Sequence, residues 1–227
     1  MILKLVIHFI ILVIWEVFAQ VKLPEGKSGC DWECGGISIP FLFGMKSSEC
    51  YAGKWFEIEC RNSSKTFTDN FVSIKSTHTP YLKSIGLEVV TISVDEPMVE
   101  IKHPIYRSNC GSKDSPPVNL SLEGSPFVYF QKSNKFVAAG YNIMAFLKLN
   151  GSEVSGCMTI SDENYKVGDI GKIRLATSDC TGKSCCVSSL PLYLNEYSTE
   201  IKSLKENASS HECSYAMIAR EDLSFGF

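Results

Sequence analysis

Ten cysteines in a chain of 227 residues, every one of them beyond residue 29, constrain the fold more than any other feature. Cys30, Cys34, Cys50 and Cys60 surround an apolar run, Ile37-Ser38-Ile39-Pro40-Phe41-Leu42-Phe43-Gly44, punctuated by Pro and Gly. Cys110, Cys157, Cys180, Cys185, Cys186 and Cys213 follow. A cytosolic chain of this size rarely carries so many thiols, so export to an oxidising compartment and a disulfide framework are expected. Ten cysteines allow 9 × 7 × 5 × 3 × 1 pairings, and spacing selects none of them. Adjacent Cys185 and Cys186 are expected to reach separate partners, because ring closure between neighbours strains the peptide.

The N-terminus fits the same address. Residues 1–19 carry Lys4, an apolar run from Leu5 to Trp15, and Val17-Phe18-Ala19 at a cleavage position, the pattern of a secretory signal peptide. A membrane anchor needs about 20 apolar residues, and this run is interrupted by His8 and ended by Glu16. Four sequons, at Asn62, Asn119, Asn150 and Asn207, predict glycosylated surface loops.

The patterning is mostly β. Trp55 to Cys60 alternates at period two, and Leu87–Val94 and Met98–Lys102 flank Asp95-Glu96-Pro97 as a hairpin. Phe136–Ala139, Ala145–Leu149, the turn Asn150-Gly151 and Val154–Ile160 read as a second strand-turn-strand set. Tyr193–Lys205 is the best helix candidate. Gly111-Ser112-Lys113-Asp114-Ser115-Pro116-Pro117 is polar and turn-rich. We therefore expect a disulfide-rich extracellular ectodomain of two small β modules with little helix: a cysteine-rich module over 28–110, a linker over 111–126 and a second module over 127–222.

Enzyme chemistry finds no foothold. Past the signal, His78, His103 and His211 lie in no nucleophile context, and Gly-x-Ser-x-Gly, His-Glu-x-x-His and phosphate-cradling glycine loops are absent. These histidines read as surface or satisfied core groups. The spacing of Cys30, Cys34, Cys180, Cys185 and Cys186 fits no common zinc pattern, and exported thiols oxidise, so no metal and no cofactor are expected. The acids are scattered without singling out a glycosidase pair. With 22 Lys and Arg against 25 Asp and Glu there is no basic field for a nucleic-acid partner.

Two blocks carry a resemblance. The first is Cys34-Gly35-x-Ile37-x-Ile39-Pro40-x-x-Phe43-Gly44, Cys50 and Phe56-x-Ile58-x-Cys60. The second is Ser133 to Gly140, Gly156-Cys157, Gly182-x-x-Cys185-Cys186, Pro191 and Cys213-x-Tyr215-Ala216. In order and spacing they resemble the galacturonan-binding ectodomain of plant wall-associated receptor kinases over about residues 30 to 225. The resemblance implies a cell-wall location and pectic galacturonan, a polyanion, as ligand. Its carboxylates call for Lys or Arg along a groove, with aromatic rings against the sugar faces. The densest basic stretch of the first module is Lys46, Lys54, Arg61 and Lys65, interleaved with Tyr51 and Trp55, and these six are the expected ligand contacts. As ordinary residues they would be solvated charges and, for Trp55, a buried ring. Lys132 and Lys135 beside Tyr129 are a second candidate, and a calcium bridge to pectin a further option.

The chain departs from the family pattern at Tyr141 and Ser161, where the resemblance implies cysteines bridged in relatives; loss of that bridge leaves an even set here. It also lacks His-Arg-Asp and Asp-Phe-Gly kinase signatures and a second apolar span, as expected of a secreted ectodomain or of a piece of a longer, membrane-attached receptor. Non-catalytic polysaccharide binding is the expected function. The alternative is a protein-interaction or soluble decoy ectodomain for a peptide or receptor partner.

Overall fold

A computed structural model describes residues 28–62, 78–160, 173–174, 180–204, 213–222 and 224–225. The chain divides into two units, the first ending at Lys102 and the second starting at His103. That division falls ahead of the boundary expected near 110. The expected linker holds a strand of the second unit and begins immediately after a cysteine, Cys110, bonded to Cys213.

In the first unit, β1 (Glu33–Cys34) and β2 (Ile37–Ser38) form a minimal hairpin. Its turn is Gly35-Gly36, both at positive φ (62° and 83°), the conformation a two-residue turn demands and glycine supplies without strain. A four-stranded antiparallel sheet follows in the order β3 (Ile58–Asn62), β4 (His78–Leu82), β5 (Leu87–Ser93), β6 (Met98–Ile101). The hairpin expected around Asp95-Glu96-Pro97 is β5–β6. The alternation expected from Trp55 starts later. Lys54–Phe56 is a single 3-10 turn, and only from Ile58 does the chain extend. Ile39, Phe43, Met45, Ile58, Leu82 and Val89 are among the buried apolar groups of this unit.

The second unit holds two four-stranded antiparallel sheets. One has the order β11 (Ser152–Thr159), β10 (Ile143–Leu149), β14 (Glu196–Ser203), β8 (Asn119–Ser121); the other, β13 (Cys185–Ser189), β9 (Asn134–Ala139), β15 (Ser214–Arg220), β7 (Tyr106–Ser108). A short pair, β12 (Ile173–Arg174) with β16 (Ser224–Phe225), completes it. Asn150 and Gly151, both at positive φ, turn β10 into β11 as the sequence predicts. β9 is buried on both faces, from Phe136 to Ala139, and is the centre of the core.

Within the expected helix Tyr193–Lys205, Glu196–Ser203 is strand β14, and Lys205 lies outside the described residues. Tyr197 and Thr199 point inward two residues apart, and Tyr197, a fully buried aromatic, gains more from the sheet core than the weak 3.6-residue spacing offers a helix. All ten cysteines are paired: Cys30–Cys50, Cys34–Cys60, Cys110–Cys213, Cys157–Cys186 and Cys180–Cys185. Adjacent Cys185 and Cys186 do reach separate partners, and Cys157–Cys186 ties β11 of one sheet to β13 of the other.

Candidate functional site

The first unit contains an open cleft of about 680 Å³, built by the cysteine cluster. Cys34–Cys60 fastens the small hairpin to β3, and Cys30–Cys50 fastens the segment before it to the loop that follows Gly44. That loop is locked to the start of β3 by backbone hydrogen bonds, Gly44 N–H to Phe56 O (3.2 Å) and Ile58 N–H to Gly44 O (2.8 Å). Gly44 is required there, because a Cβ would lie 2.1 Å from the Cys50 carbonyl oxygen. The cleft is lined by Asp31, Glu33, Gly35, Glu57, Glu59 and Lys83, with Met45 and Ile58 as apolar groups among them.

Both of its lysines are paired with lining carboxylates. Lys46 Nζ lies 2.5 Å from Asp31 Oδ2 and Lys83 Nζ 2.6 Å from Glu57 Oε1. Arg61, just outside the lining, donates from Nε (2.9 Å) and Nη2 (2.6 Å) to Glu59 Oε2 while its guanidinium lies 4.2 Å from the Tyr81 ring centroid. The hydrogen bond from Arg61 holds the Glu59 carboxyl below its usual range, and the hydrogen bond to Glu57 raises the Lys83 ammonium. The cations of these pairs reach solvent, where such ion pairs are weak and can exchange for a ligand group.

No family model and no solved structure matches the chain. Among curated proteins, wall-associated receptor kinase-like 1 of Arabidopsis thaliana is 34% identical over 182 residues, 75% of this chain and 23% of that protein. Wall-associated receptor kinase-like 3 is 32% identical over 182 residues, 74% of this chain and 23% of its own length, and wall-associated receptor kinase-like 4 is 30% identical over 174 residues, 71% and 20%. The chain is a homologue of the wall-associated receptor kinase-like proteins. It spans less than a quarter of the length of these relatives.

In this wall-associated receptor kinase-like chain the six residues expected to touch ligand are dispersed. Lys46 lines the cleft. Lys54 lies 4.9 Å from the Trp55 ring centroid, on the 3-10 turn, and its carbonyl accepts from Ser84 Oγ (2.6 Å). Tyr51 is half-buried and, like Arg61, stands outside the lining; Lys65 lies outside the described residues. Sequence reasoning missed Asp31, Glu33, Glu57, Glu59 and Lys83. The pairing of Glu57 with Lys83 was legible only as the cross-strand counterpart of the Ile58–Leu82 register, and strand β4 was not foreseen.

In the second candidate, which belongs to the other unit, Lys132 is exposed and Lys135 half-buried, while Tyr129 is turned into the core. Tyr129 is buried, and Lys135 lies 3.5 Å from Glu221. Tyr129 instead joins Tyr197 around His103. The His103 Nδ1–H donates to Pro104 O (2.9 Å), so Nε2 accepts, from the Tyr197 hydroxyl at 2.6 Å with the Tyr129 hydroxyl 3.1 Å away. A carbonyl can only accept, which fixes the tautomer. Removal from water holds His103 down at about 4 and pushes both tyrosines up. His103 is a satisfied core group, as its bland reading predicts, while His78 lines the first unit's cleft and His211 lies outside the described residues. Among the described residues no group of three or more His, Cys, Asp or Glu could hold a metal ion, and no helix is long and apolar enough to cross a membrane. Tyr141 packs against the core cluster of Val137, Ala139 and Met217; position 161 lies outside the described residues.

Proposed function

We propose that the chain is a non-catalytic extracellular binding ectodomain for cell-wall polysaccharide, with pectic galacturonan as its ligand. The observation that carries this reading is the similarity, over 71% to 75% of the chain, to receptors named as wall-associated. The chain lacks the kinase signatures, so the shared portion is one outside the kinase. Five disulfides support an oxidising, extracellular address, and Asn62, Asn119 and Asn150, all exposed, serve as glycan acceptors.

The cleft of the first unit is the ligand site in this reading. Lys46 contacts the glycan from within it, and the Lys54–Trp55 and Arg61–Tyr81 pairs supply flanking cation and ring surfaces beside Tyr51 and Lys65. The test is retention of the purified, oxidised chain on immobilised galacturonan against a neutral wall glucan. Retention on galacturonan alone is expected. A folded protein that binds neither rejects the reading. A second reading, recognition of a protein partner, is favoured by one observation: Leu192 and Tyr193 are 65% and 78% exposed, and Tyr193 holds a positive φ of 56°.

A further inference from the structure

An open sheet ends in two edge strands, whose unpaired N–H and C=O groups offer a template to any further strand. In the second unit the chain itself closes three edges of the two four-stranded sheets. Arg107 on β7 donates its N–H to Ser115 Oγ (2.8 Å), and its carbonyl accepts from Ser115 N–H (3.0 Å). β11 and β13 are stitched to each other by Cys157–Cys186, by Ser155 Oγ donating to Ser189 O (2.8 Å) and, just past β11, by Ile160 N–H donating to Gly182 O (2.7 Å). The fourth edge is β8. Thr199 N–H to Val118 O (2.9 Å) and Leu122 N–H to Asn195 O (2.6 Å) hold its two ends to β14, and among the described residues no backbone hydrogen bond reaches its other side. Asn119-Leu120-Ser121 contains no charge and no Pro, the side chains that commonly blunt such an edge.

What this edge carries instead is a sequon. Asn119 pairs with Ser198, and Ser198 in turn with Lys148. Side chains alternate between the two faces along a strand, and Tyr197 and Thr199, on either side of Ser198, are buried. Asn119 and Ser198 therefore stand on the solvent face, and Asn119 is exposed. A glycan at Asn119 places a bulky, hydrated group along β8. We propose that the N-glycan of Asn119 guards this edge against strand addition by a second copy of the chain. This role rests on the extracellular, glycosylated reading above. Asn62 supplies the contrast: it too lies on an edge strand, β3, but there Glu59 and Arg61 put charge on the edge without any glycan.

The experiment compares the full, oxidised chain secreted from a glycosylating host with single-site variants, by glycopeptide mass spectrometry, light scattering over a concentration series and amide hydrogen exchange. Asn119 is expected to be occupied and the wild type monomeric. Asn119→Gln, and the folded wild type after enzymatic removal of its glycans, should associate at concentrations where the intact wild type does not, with new exchange protection at the amides of β8. Ser121→Lys removes the same acceptor but leaves a cation on the same edge, and should stay monomeric. Asn62→Gln, which loses a glycan elsewhere, should also stay monomeric. Association of Asn62→Gln or Ser121→Lys to the same extent as Asn119→Gln would make the glycans general solubilisers and overturn the guard. A monomeric Asn119→Gln, where the wild type is occupied at Asn119, overturns the guard as well and leaves the glycosylated reading in place. No glycan at any acceptor, in protein whose disulfides and circular dichroism are intact, overturns both.

Discussion

The buried histidine of the second unit makes stability depend on pH in a direction that can be stated in advance. His103 bonds through both ring nitrogens and is held at about 4, chiefly because the fold removes its ring from water. Unfolded, it would titrate near the ordinary value of about 6.5. Between those values the unfolded chain binds a proton that the folded chain refuses, so stability present above about 6.5 is lost as pH falls toward 4 and the loss then levels off. Each tenfold in proton affinity corresponds to about 1.4 kcal/mol, which sets an upper bound of about 3 kcal/mol on the loss. His103 keeps some contact with solvent, and screening reduces the figure from that bound. The assay is urea unfolding at pH 7, 5.5 and 4 for the wild type and His103→Gln, which keeps an acceptor and a donor but does not titrate. Other carboxylates contribute equally to both proteins, so the difference between the two slopes isolates His103. A wild type that loses about 2–3 kcal/mol more than the variant supports the reasoning. Parallel slopes, or a His103 ring-proton titration midpoint at 6 or above by NMR, would refute it.

The disulfides should differ in what they contribute. Loop closure assigns about 5 kcal/mol to Cys110–Cys213, with a sequence separation of 103, and about 2 kcal/mol to Cys180–Cys185, with a separation of 5. Paired Cys→Ala substitutions followed by denaturant unfolding check the order, and a larger loss at Cys180–Cys185 would contradict it. Gly44→Ala should cost at least about 2 kcal/mol, because the obstacle is the Cys50 backbone and not a side chain that can move; an unchanged unfolding midpoint would show that the loop is not fixed as described. Asn62 ends β3 opposite His78, a cleft residue, so a glycan there stands at the cleft's edge. Asn62→Gln expressed in a glycosylating host should bind galacturonan at least as well as the glycosylated wild type, and weaker binding would place the glycan in a supporting role.

Much of the β architecture is legible because it is written locally. Asn150-Gly151 and the β-branched run Leu87–Val94 carry turn and strand signals within a few residues of each other, and both appear where expected. Tyr193–Lys205 misleads because its buried positions alternate while its charges fall at helix-like intervals; burial of Tyr197 against His103 and Tyr129, distant in sequence, decides the outcome. The cleft is harder still. Its wall joins Asp31, Lys46, Glu57 and Lys83, residues assembled by two disulfides and by the β3–β4 register. Local density of basic residues therefore picks out Lys54 and Arg61, which the fold occupies with Trp55 and Glu59. The presence of cations is visible in the chain; their prior engagement is a property of the fold.

The central claim is that the first unit carries the galacturonan site. It is tested most directly by NMR titration of the isotope-labelled, oxidised chain with an oligogalacturonide, following backbone amides. The account predicts saturable shifts concentrated at Glu33, Gly35, Met45, Lys46, Glu59 and Lys83, with the second unit unmoved. Shifts concentrated around Leu192 and Tyr193, or none at any ligand concentration, would contradict it.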